Sequence, residues 1–222
     1  MTALQLDRLT VAYRRRVIFD GLSHDFAPGR HVILGANGTG KSTLLGAIAG
    51  GVPYRGRVLI AGHEVSENAV KARQALAYVP DSADFYPFMT GGQFADFVLG
   101  AHGRGPASDQ PRFSEIVDRL GVREHWDTRF GEASLGTRKK FFLVAALLLE
   151  TKLLVMDEPF NGLDRATTHE LIDLLNNLNA ARTVVLTCHH LPIVEAIQGA
   201  QWRLGNPPCT AMALDAPAHV LP

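Results

Sequence analysis

The 222-residue chain is 46% hydrophobic, and its 22 lysines and arginines balance 22 aspartates and glutamates, so its formal net charge is zero. A chain of this length and hydrophobic content can bury a sizeable core, and we expect one globular domain with subdivisions. The balanced charge excludes the strong positive field with which many proteins hold nucleic acid, so no nucleic-acid partner is expected.

The apolar runs, the first residues and the cysteines indicate where the protein is located. The longest apolar run covers residues 141–149, whereas a membrane-spanning helix needs about 20 such residues. The first residues lack the basic start and apolar stretch of a secretion signal, so we expect a cytoplasmic protein. The two cysteines, Cys188 and Cys209, are too few for a disulfide framework, and we expect both to be reduced.

The predicted elements begin with an antiparallel hairpin, because hydrophobicity alternates over Leu4–Ala12 and Val17–Phe26. Later β-rich runs are separated by helical stretches, which predicts a mostly parallel sheet. These runs cover residues 31–34, 57–61, 75–79, 153–156 and 183–187. Between them, helices are predicted at about residues 92–101, 112–120 and 136–150. The prediction is an α/β fold whose core, about residues 1–82 and 151–222, carries an inserted helical subdomain, about residues 83–150.

A glycine-rich segment, Gly35 to Thr43, fits the pattern G-x-x-x-x-G-K-[ST] between the strand at 31–34 and a predicted helix, Lys41–Ala49. Its glycines let backbone N–H groups surround phosphate oxygens, and the helix N-terminus adds a partial positive charge. Lys41 is expected to bind the β- and γ-phosphates, and the Ser42 hydroxyl to bind Mg²⁺. The candidate nucleotide-binding residues are Gly35, Asn37, Gly38, Thr39, Gly40, Lys41, Ser42 and Thr43.

The alternative for this segment is a glycine-rich turn without a ligand. The flanking strand and helix are the elements that a phosphate loop requires, so they favour the phosphate loop. The loop alone leaves the class of nucleotide enzyme open, because kinases, GTPases and motor ATPases share it.

Two adjacent carboxylates, Asp157 and Glu158, follow the apolar strand at 153–156. Parallel sheets place ligands at such strand ends, so we expect Asp157 to hold Mg²⁺ and Glu158 to polarise the attacking water. The alternative is an acid pair that caps a helix. His189 ends the next strand region, and we expect it to contact the γ-phosphate rather than to be an ordinary surface histidine. The candidate catalytic residues are Glu158, His189 and Lys41.

With these motifs in this order, the chain resembles the nucleotide-binding subunits of ABC transporters from Leu4 to about Ala196. The glycine-rich segment matches their Walker A motif and residues 153–158 match their Walker B motif, which implies a P-loop NTPase core that binds ATP and Mg²⁺. Tyr13 is similar to the aromatic residue that stacks on adenine, and the alternative is a hairpin aromatic that packs on the core. Asp164 belongs to a segment similar to the loop through which paired subunits communicate.

The family signature is present in a degenerate form, Ser134-Leu135-Gly136-Thr137-Arg138, where the usual string is Leu-Ser-Gly-Gly-Gln. The resemblance implies that Ser134 and Gly136 bind the γ-phosphate of ATP held by the opposite subunit. The alternative for Ser134 is a simple helix N-cap. Asp81 stands where the family commonly has glutamine or glutamate, so it is a further candidate Mg²⁺ ligand.

The resemblance implies an enzyme that hydrolyses ATP to power transport, with export as the expected direction. Its expected partners are a separate transmembrane subunit, met by a surface between about Asp84 and Thr128, and a second copy or a paralogous ATPase with which it forms a dimer. The chain would then be peripheral on the inner face of the cell membrane. Two other functions stay open: a soluble ABC-type ATPase that acts on ribosomes or DNA, and a regulatory subunit with little hydrolysis.

Overall fold

In this computed structural model, the described residues are 2–14, 16–82 and 86–214, and they divide into two compact units. The first unit contains the described residues up to Tyr78, Thr151–Glu158, and those from Leu178 onward. The second unit contains the described part of Val79–Glu150 together with Pro159–Asn177. It therefore includes a stretch, Pro159–Asn177, that lies beyond the predicted helical insertion.

Two sheets run through the first unit. The strands are β1 Leu4–Tyr13, β2 Arg16–Phe26, β3 Gly29–Leu34, β4 Arg55–Ile60, β5 His63–Glu64, β6 Leu76–Val79, β7 Leu153–Met156, β8 Thr183–Thr187, β9 Ala200–Leu204 and β10 Met212–Leu214. One sheet has the order β2-β1-β4-β5 with antiparallel pairs, and the other has the order β10-β9-β3-β8-β7-β6. β3 pairs in parallel with β8 and with β9, and β7 pairs in parallel with β8. The predicted α/β fold, with its N-terminal hairpin and mostly parallel sheet, is confirmed.

The helices are α1 Lys41–Ile48, α2 Ala69–Gln74, α3 Gly91–Ala101, α4 Phe113–Arg119, α5 Leu135–Leu148, α6 Arg165–Asn176 and α7 Leu191–Ala196. In the first unit, α1 contributes Leu44, Leu45 and Ile48 to the hydrophobic core, and all three are fully buried. Full burial of one such side chain stabilises the fold by roughly 1.5–3 kcal/mol. The core therefore fixes α1, and with it the loop that precedes the helix.

The second unit is built around α5, which is buried on nearly every side. Phe94 of α3 packs against Phe142 of α5, with their ring centroids 4.5 Å apart. Phe130, in the segment before α5, packs against Phe141 of the same helix at 5.1 Å. A capping box between Thr90 and Gln93 begins α3. Within the described part of the chain, no helix combines the length and the apolar character needed to cross a bilayer.

Candidate functional site

The glycine-rich segment forms the turn between β3 and α1, and Gly40 is the N-cap of that helix with a φ of 101°. A Cβ atom at Gly40 would lie 2.5 Å from Cγ2 of Ile18 and 3.1 Å from Cζ of Phe19. Only glycine accepts both the left-handed backbone and this close approach. The packing of β2 therefore sets how tightly the loop turns into the helix.

Lys41 is the first residue of α1, directly after this turn, and its side chain is buried. The ammonium donates to the carbonyl oxygens of Gly35, at 2.9 Å, and Ala36, at 3.4 Å. The Thr39 hydroxyl donates to the same Ala36 oxygen at 2.9 Å. These bonds close the loop around a positive charge at the N-terminus of α1, where free N–H groups and the helix dipole favour an anion.

The acid pair follows β7 directly, and Glu158 has a left-handed backbone with a φ of 44°. This conformation costs a residue other than glycine of order 1–3 kcal/mol, so it persists only where the surrounding contacts enforce it. Asp157 is buried, with 3% of its surface exposed, and the Glu158 side chain is 13% exposed. A strained backbone and two largely buried carboxylates are features that cluster at functional sites, so this pair is a candidate for a functional role.

Two residues at the end of β8 hold the acid pair. The Thr187 hydroxyl, which is completely buried, donates to Oδ1 of Asp157 at 2.7 Å and accepts the Glu158 N–H at 2.8 Å. Two positions further on, Nδ1 of His189 lies 2.9 Å from Oε2 of Glu158. The imidazole of His189 is half exposed, and its ring centroid is 4.1 Å from that of His190. The structure thus brings Glu158 and His189 together, and it adds Thr187, which sequence analysis did not identify.

The oxygen donors of this unit fit Mg²⁺ when the ion is shared with a phosphate group. Asp157 offers a carboxylate and Ser42 an exposed hydroxyl, and both are hard oxygen ligands. Across the described residues, no group of three His, Cys, Asp or Glu side chains could hold a metal ion by itself. Mg²⁺ commonly takes one or two protein ligands and completes its shell with water and substrate phosphate. These residues therefore suit a cation that binds together with a nucleotide.

The predicted adenine-stacking residue, Tyr13, ends β1 and pairs with Arg16 across the hairpin. Its side chain is 48% exposed, so its ring is accessible from solvent. Nη2 of Arg16 donates to the carbonyl oxygen of Gly38 at 3.4 Å and connects the hairpin to the glycine-rich segment. Arg16 was not among the residues predicted for the site, and the available signal in the sequence is its place in a basic turn next to Tyr13. Arg15, in the same turn, lies outside the described residues.

The signature segment begins α5 in the second unit. Ser134 is the N-cap, and its Oγ accepts the Thr137 N–H at 3.1 Å. Ser134 therefore caps the helix, while both it and Leu135 remain exposed. A Cβ atom at Gly136 would collide with the carbonyl oxygen of Gly162, so glycine is required where the start of α5 packs on that loop.

Asp164 caps the N-terminus of α6. Its carboxylate accepts the Thr167 N–H at 2.8 Å and the Thr167 hydroxyl at 2.8 Å, and it pairs with the Lys140 ammonium at 3.3 Å. These bonds, led by the one from the Thr167 backbone, lower the pKa of Asp164 to about 2. The charged form is thus the one that the second unit favours.

Asp81 is held by α5 and by the loop that precedes α6. The Lys139 ammonium, only 1% exposed, donates to the carbonyl oxygens of Asp81 at 2.6 Å and Pro80 at 3.0 Å. Nδ2 of Asn161 donates to the Asp81 carboxylate at 3.4 Å. In the sequence, Lys139 is only one residue of the helix predicted at about residues 136–150, whereas in the structure its buried ammonium holds the backbone of residues 80–81.

The predicted residues thus fall into two groups. The first unit contains Tyr13, Gly35, Asn37, Gly38, Thr39, Gly40, Lys41, Ser42, Thr43, Asp157, Glu158 and His189, and the second contains Asp81, Ser134, Gly136 and Asp164.

Comparison with known proteins identifies relatives along most of the chain. The family described as ABC transporter matches residues 19–161, which is more than half of the chain. The zinc transport system ATP-binding protein TroB of Treponema pallidum is 34% identical over 197 residues, which cover 85% of this chain and 72% of that protein. The linearmycin resistance ATP-binding protein LnrL of Bacillus subtilis is 29% identical over 195 residues, which cover 86% of this chain and 63% of that protein. The chain thus spans less than two thirds of the length of LnrL.

Solved structures show the same fold. The structure of an ATP-binding subunit of an ABC transporter matches with a TM-score of 0.87 and 25% identity, covering 96% of this chain and 90% of that one. A dimeric ATP-binding cassette in a post-hydrolysis state, bound to ADP and phosphate, matches with a TM-score of 0.82. That match has 19% identity and covers 95% of this chain and 98% of the other, so it supports the fold alone.

Proposed function

The chain belongs to the ABC transporter family as an ATP-binding domain, and from this premise we propose that it hydrolyses Mg-ATP to power a separate membrane subunit. The protein would be cytoplasmic and peripheral on the inner face of the cell membrane. The relatives include a zinc transport system and a resistance protein, so they do not select a direction, and export remains a prediction.

The observation that carries this proposal is the pair of Glu158 and His189, in the same unit as the phosphate loop. A carboxylate held at 2.9 Å from an imidazole nitrogen has a fixed orientation, as a residue that accepts a proton from water needs. A protein that only bound nucleotide would not require Glu158 in a strained backbone conformation. The pair therefore supports hydrolysis over the regulatory alternative.

In the proposed mechanism, each residue acts on a different part of the reaction. The phosphate loop and Lys41 bind the phosphates and offset their negative charge. Glu158 orients the attacking water and accepts its proton. His189 holds Glu158 through Nδ1 and contacts the γ-phosphate through its other ring nitrogen, which requires both ring nitrogens to carry a proton. Mg²⁺, held by Ser42 and Asp157, would neutralise charge on the phosphate oxygens.

A complete site would need a second subunit. Ser134 and Leu135 are exposed at the N-terminus of α5, and a helix N-terminus favours an anion through its free N–H groups and its dipole. We propose that Ser134 and Gly136 bind the γ-phosphate held by the phosphate loop of a second copy or a paralogue. Asp164 would lie at the same interface, and Asp81 would bind Mg²⁺ directly or through water.

The proposed contact with the membrane subunit is an aromatic group of the second unit. Phe88 is 71% exposed and Phe97 is 54% exposed, and the ring of Tyr86 lies 6.5 Å from the first and 5.9 Å from the second. Exposed apolar patches commonly mark interaction sites. All three residues fall in the segment between Asp84 and Thr128 that was predicted to meet the membrane subunit, of which Asp84 lies outside the described residues.

The test is to purify the chain from gently solubilised native membranes with its accompanying protein and to measure Mg²⁺-dependent ATP hydrolysis. The Glu158→Gln variant should bind Mg-ATP with nearly unchanged affinity but lose turnover by about 10²–10⁴-fold, the usual contribution of a positioned acid or base. Wild-type turnover in this variant would exclude the catalytic role of Glu158.

The matched control is Glu195→Gln, the same chemical change at an exposed position on α7. This variant should keep the wild-type rate.

The purification itself tests the choice of partner. Recovery of ribosomes or DNA-bound complexes in place of a multi-span membrane protein would support the soluble ATPase instead.

A further inference from the structure

Thr187 occupies a position between the two carboxylate residues that no motif of the sequence accounts for. A hydroxyl has one proton to donate and lone pairs with which to accept. In this structure, the proton goes to Oδ1 of Asp157 and a lone pair accepts the Glu158 N–H. The Thr187 hydroxyl thus contacts both Asp157 and Glu158, to which the proposed mechanism gives different roles.

We infer that Thr187 is a positioning residue for hydrolysis: its hydroxyl orients the Mg²⁺-binding carboxylate of Asp157 and holds the backbone of Glu158. This inference rests on the proposed function, since it assigns Thr187 a role in the same site.

Because Thr187 and Asp157 are buried, the loss of their hydrogen bonds is costly. Thr187 is fully buried and Asp157 is 3% exposed, so water cannot easily replace a bond that is lost. A buried polar group without its partner bears the full cost of its desolvation. With the Thr187 hydroxyl removed, the Asp157 carboxylate would lose one of its fixed contacts and could rotate away from the orientation that a cation requires.

The backbone of Glu158 depends on the same hydroxyl. Its φ of 44° is unfavourable for a residue with a Cβ atom, so it must be held by contacts on more than one side. The side chain is held by His189, and the N–H is held by Thr187. Loss of the N–H bond would let the backbone relax and move the carboxylate away from the position at which it meets His189.

A second threonine on the same strand serves as a comparison for Thr187. Thr183 begins β8, and like Thr187 it is completely buried. Yet within the described residues the Thr183 hydroxyl has no hydrogen-bond partner. The two threonines share strand, burial and side-chain chemistry, and they differ in whether the hydroxyl contacts the acid pair. Thr183 is therefore a natural control for Thr187.

The test compares Thr187→Val, Thr187→Ser and Thr183→Val in the chain with its membrane partner. Valine keeps the shape and removes the hydroxyl, while serine keeps the hydroxyl. We expect Thr187→Val to lower kcat, measured at saturating Mg-ATP, by about 10–100-fold, as removal of such a supporting partner does in metal sites. Thr187→Ser should recover most of the rate, and Thr183→Val should match the wild type.

A second readout does not depend on turnover. Mn²⁺ can replace Mg²⁺ as a paramagnetic probe, and its affinity in the presence of ATP can be measured by electron paramagnetic resonance. Thr187→Val should weaken Mn²⁺ binding by about tenfold or more, even if the wild-type chain proved not to hydrolyse ATP. Absence of wild-type turnover would thus overturn the proposed function, whereas wild-type Mn²⁺ affinity in Thr187→Val would overturn the positioning role.

Folding is controlled separately. If Thr187→Val does not fold, the pair Thr187→Ser and Thr187→Ala isolates the hydroxyl, because both remove the methyl group and only serine keeps the oxygen. A rate for Thr187→Ala equal to that of Thr187→Ser would contradict the inference. An equal loss in Thr183→Val and Thr187→Val would also contradict it, because the cause would then be the packing of β8 in general.

Discussion

Gly40 is constrained both by its own backbone and by its neighbours. Its φ of 101° is unfavourable for any residue with a Cβ atom, and that atom would meet Ile18 at 2.5 Å. We expect Gly40→Ala to lower the free energy of unfolding by roughly 2–5 kcal/mol, the sum of left-handed strain and overpacking. Because the change lies at the entrance to α1, the affinity for Mg-ATP should also fall by about tenfold or more. Denaturant unfolding and nucleotide titration measure the two effects.

The control for Gly40 is Gly62, in the turn before β5. Its φ of 83° is also left-handed, but a Cβ atom there would meet nothing within 4 Å. Gly62→Ala should therefore cost only about 1–2 kcal/mol from backbone strain and leave nucleotide affinity unchanged. Equal losses of stability in the two variants would mean that contact with Ile18 does not constrain the loop.

Residues of the phosphate loop could be predicted from sequence because they are contiguous, so the pattern and the flanking elements are visible together. Thr187 could not, because its two bonds join segments 29 and 30 residues apart, and no local spacing encodes them. Arg16 is a similar case, since its contact with Gly38 spans 22 residues. Contacts of this kind follow from strand order, which has to be known before they can be inferred.

The N-terminus of α6 illustrates how one side chain stabilises an element. Asp164 accepts two bonds from Thr167 and pairs with Lys140, but its side chain is 60% exposed, so solvent weakens the ion pair. We expect Asp164→Ala to cost about 1 kcal/mol, the usual value of an N-cap. Asp164→Asn keeps an oxygen that can accept the Thr167 N–H, so it should cost clearly less. Thermal and denaturant unfolding measure both variants.

The cap also predicts a dependence on pH. The pKa of Asp164 falls from 3.8 to about 2 on folding, so the unfolded chain binds the proton more readily than the folded one. The stabilisation is therefore complete above about pH 4 and is lost as the pH falls toward 2. The stability difference between wild type and Asp164→Ala should shrink over that interval, and a difference that stays constant would contradict the role of the charge.

At the scale of whole elements, the long or strongly apolar segments were the predictable ones. β7 and β8 are buried along their entire length, and a continuous apolar run is what a strand covered on both faces requires. The two-residue β5 and the six-residue α2 were missed because so few residues show no periodicity. The buried Lys139 on α5 was also missed, since two of its hydrogen bonds go to backbone carbonyls, which no side-chain pattern reveals.

At the scale of the whole molecule, the two units contain complementary sets of predicted residues. The first contains the phosphate loop and the acid pair, and the second contains the signature and Asp164. If each ATP is held by the phosphate loop of one chain and the signature of another, then two chains with different defects should complement each other. This expectation separates a shared site from one formed within a single chain.

Two variants suit this test. Lys41→Met removes the ammonium of the phosphate loop. Leu135→Glu alters the signature at a residue that is 54% exposed, and a negative charge in the first turn of α5 does not oppose the helix dipole. The fold should thus be retained, while the new carboxylate repels the γ-phosphate of a second chain. Each variant alone should show little ATP hydrolysis, and unfolding measurements on each confirm that the fold is intact.

Mixed in equal amounts, the two chains should regain activity. Random pairing makes about half of the pairs mixed, and each mixed pair contains one site with an intact phosphate loop and an intact signature. If the sites act independently, about a quarter of the wild-type rate should return. A mixture that stays as inactive as its components, under conditions in which the wild-type chain forms pairs, would place the signature in the site of its own chain.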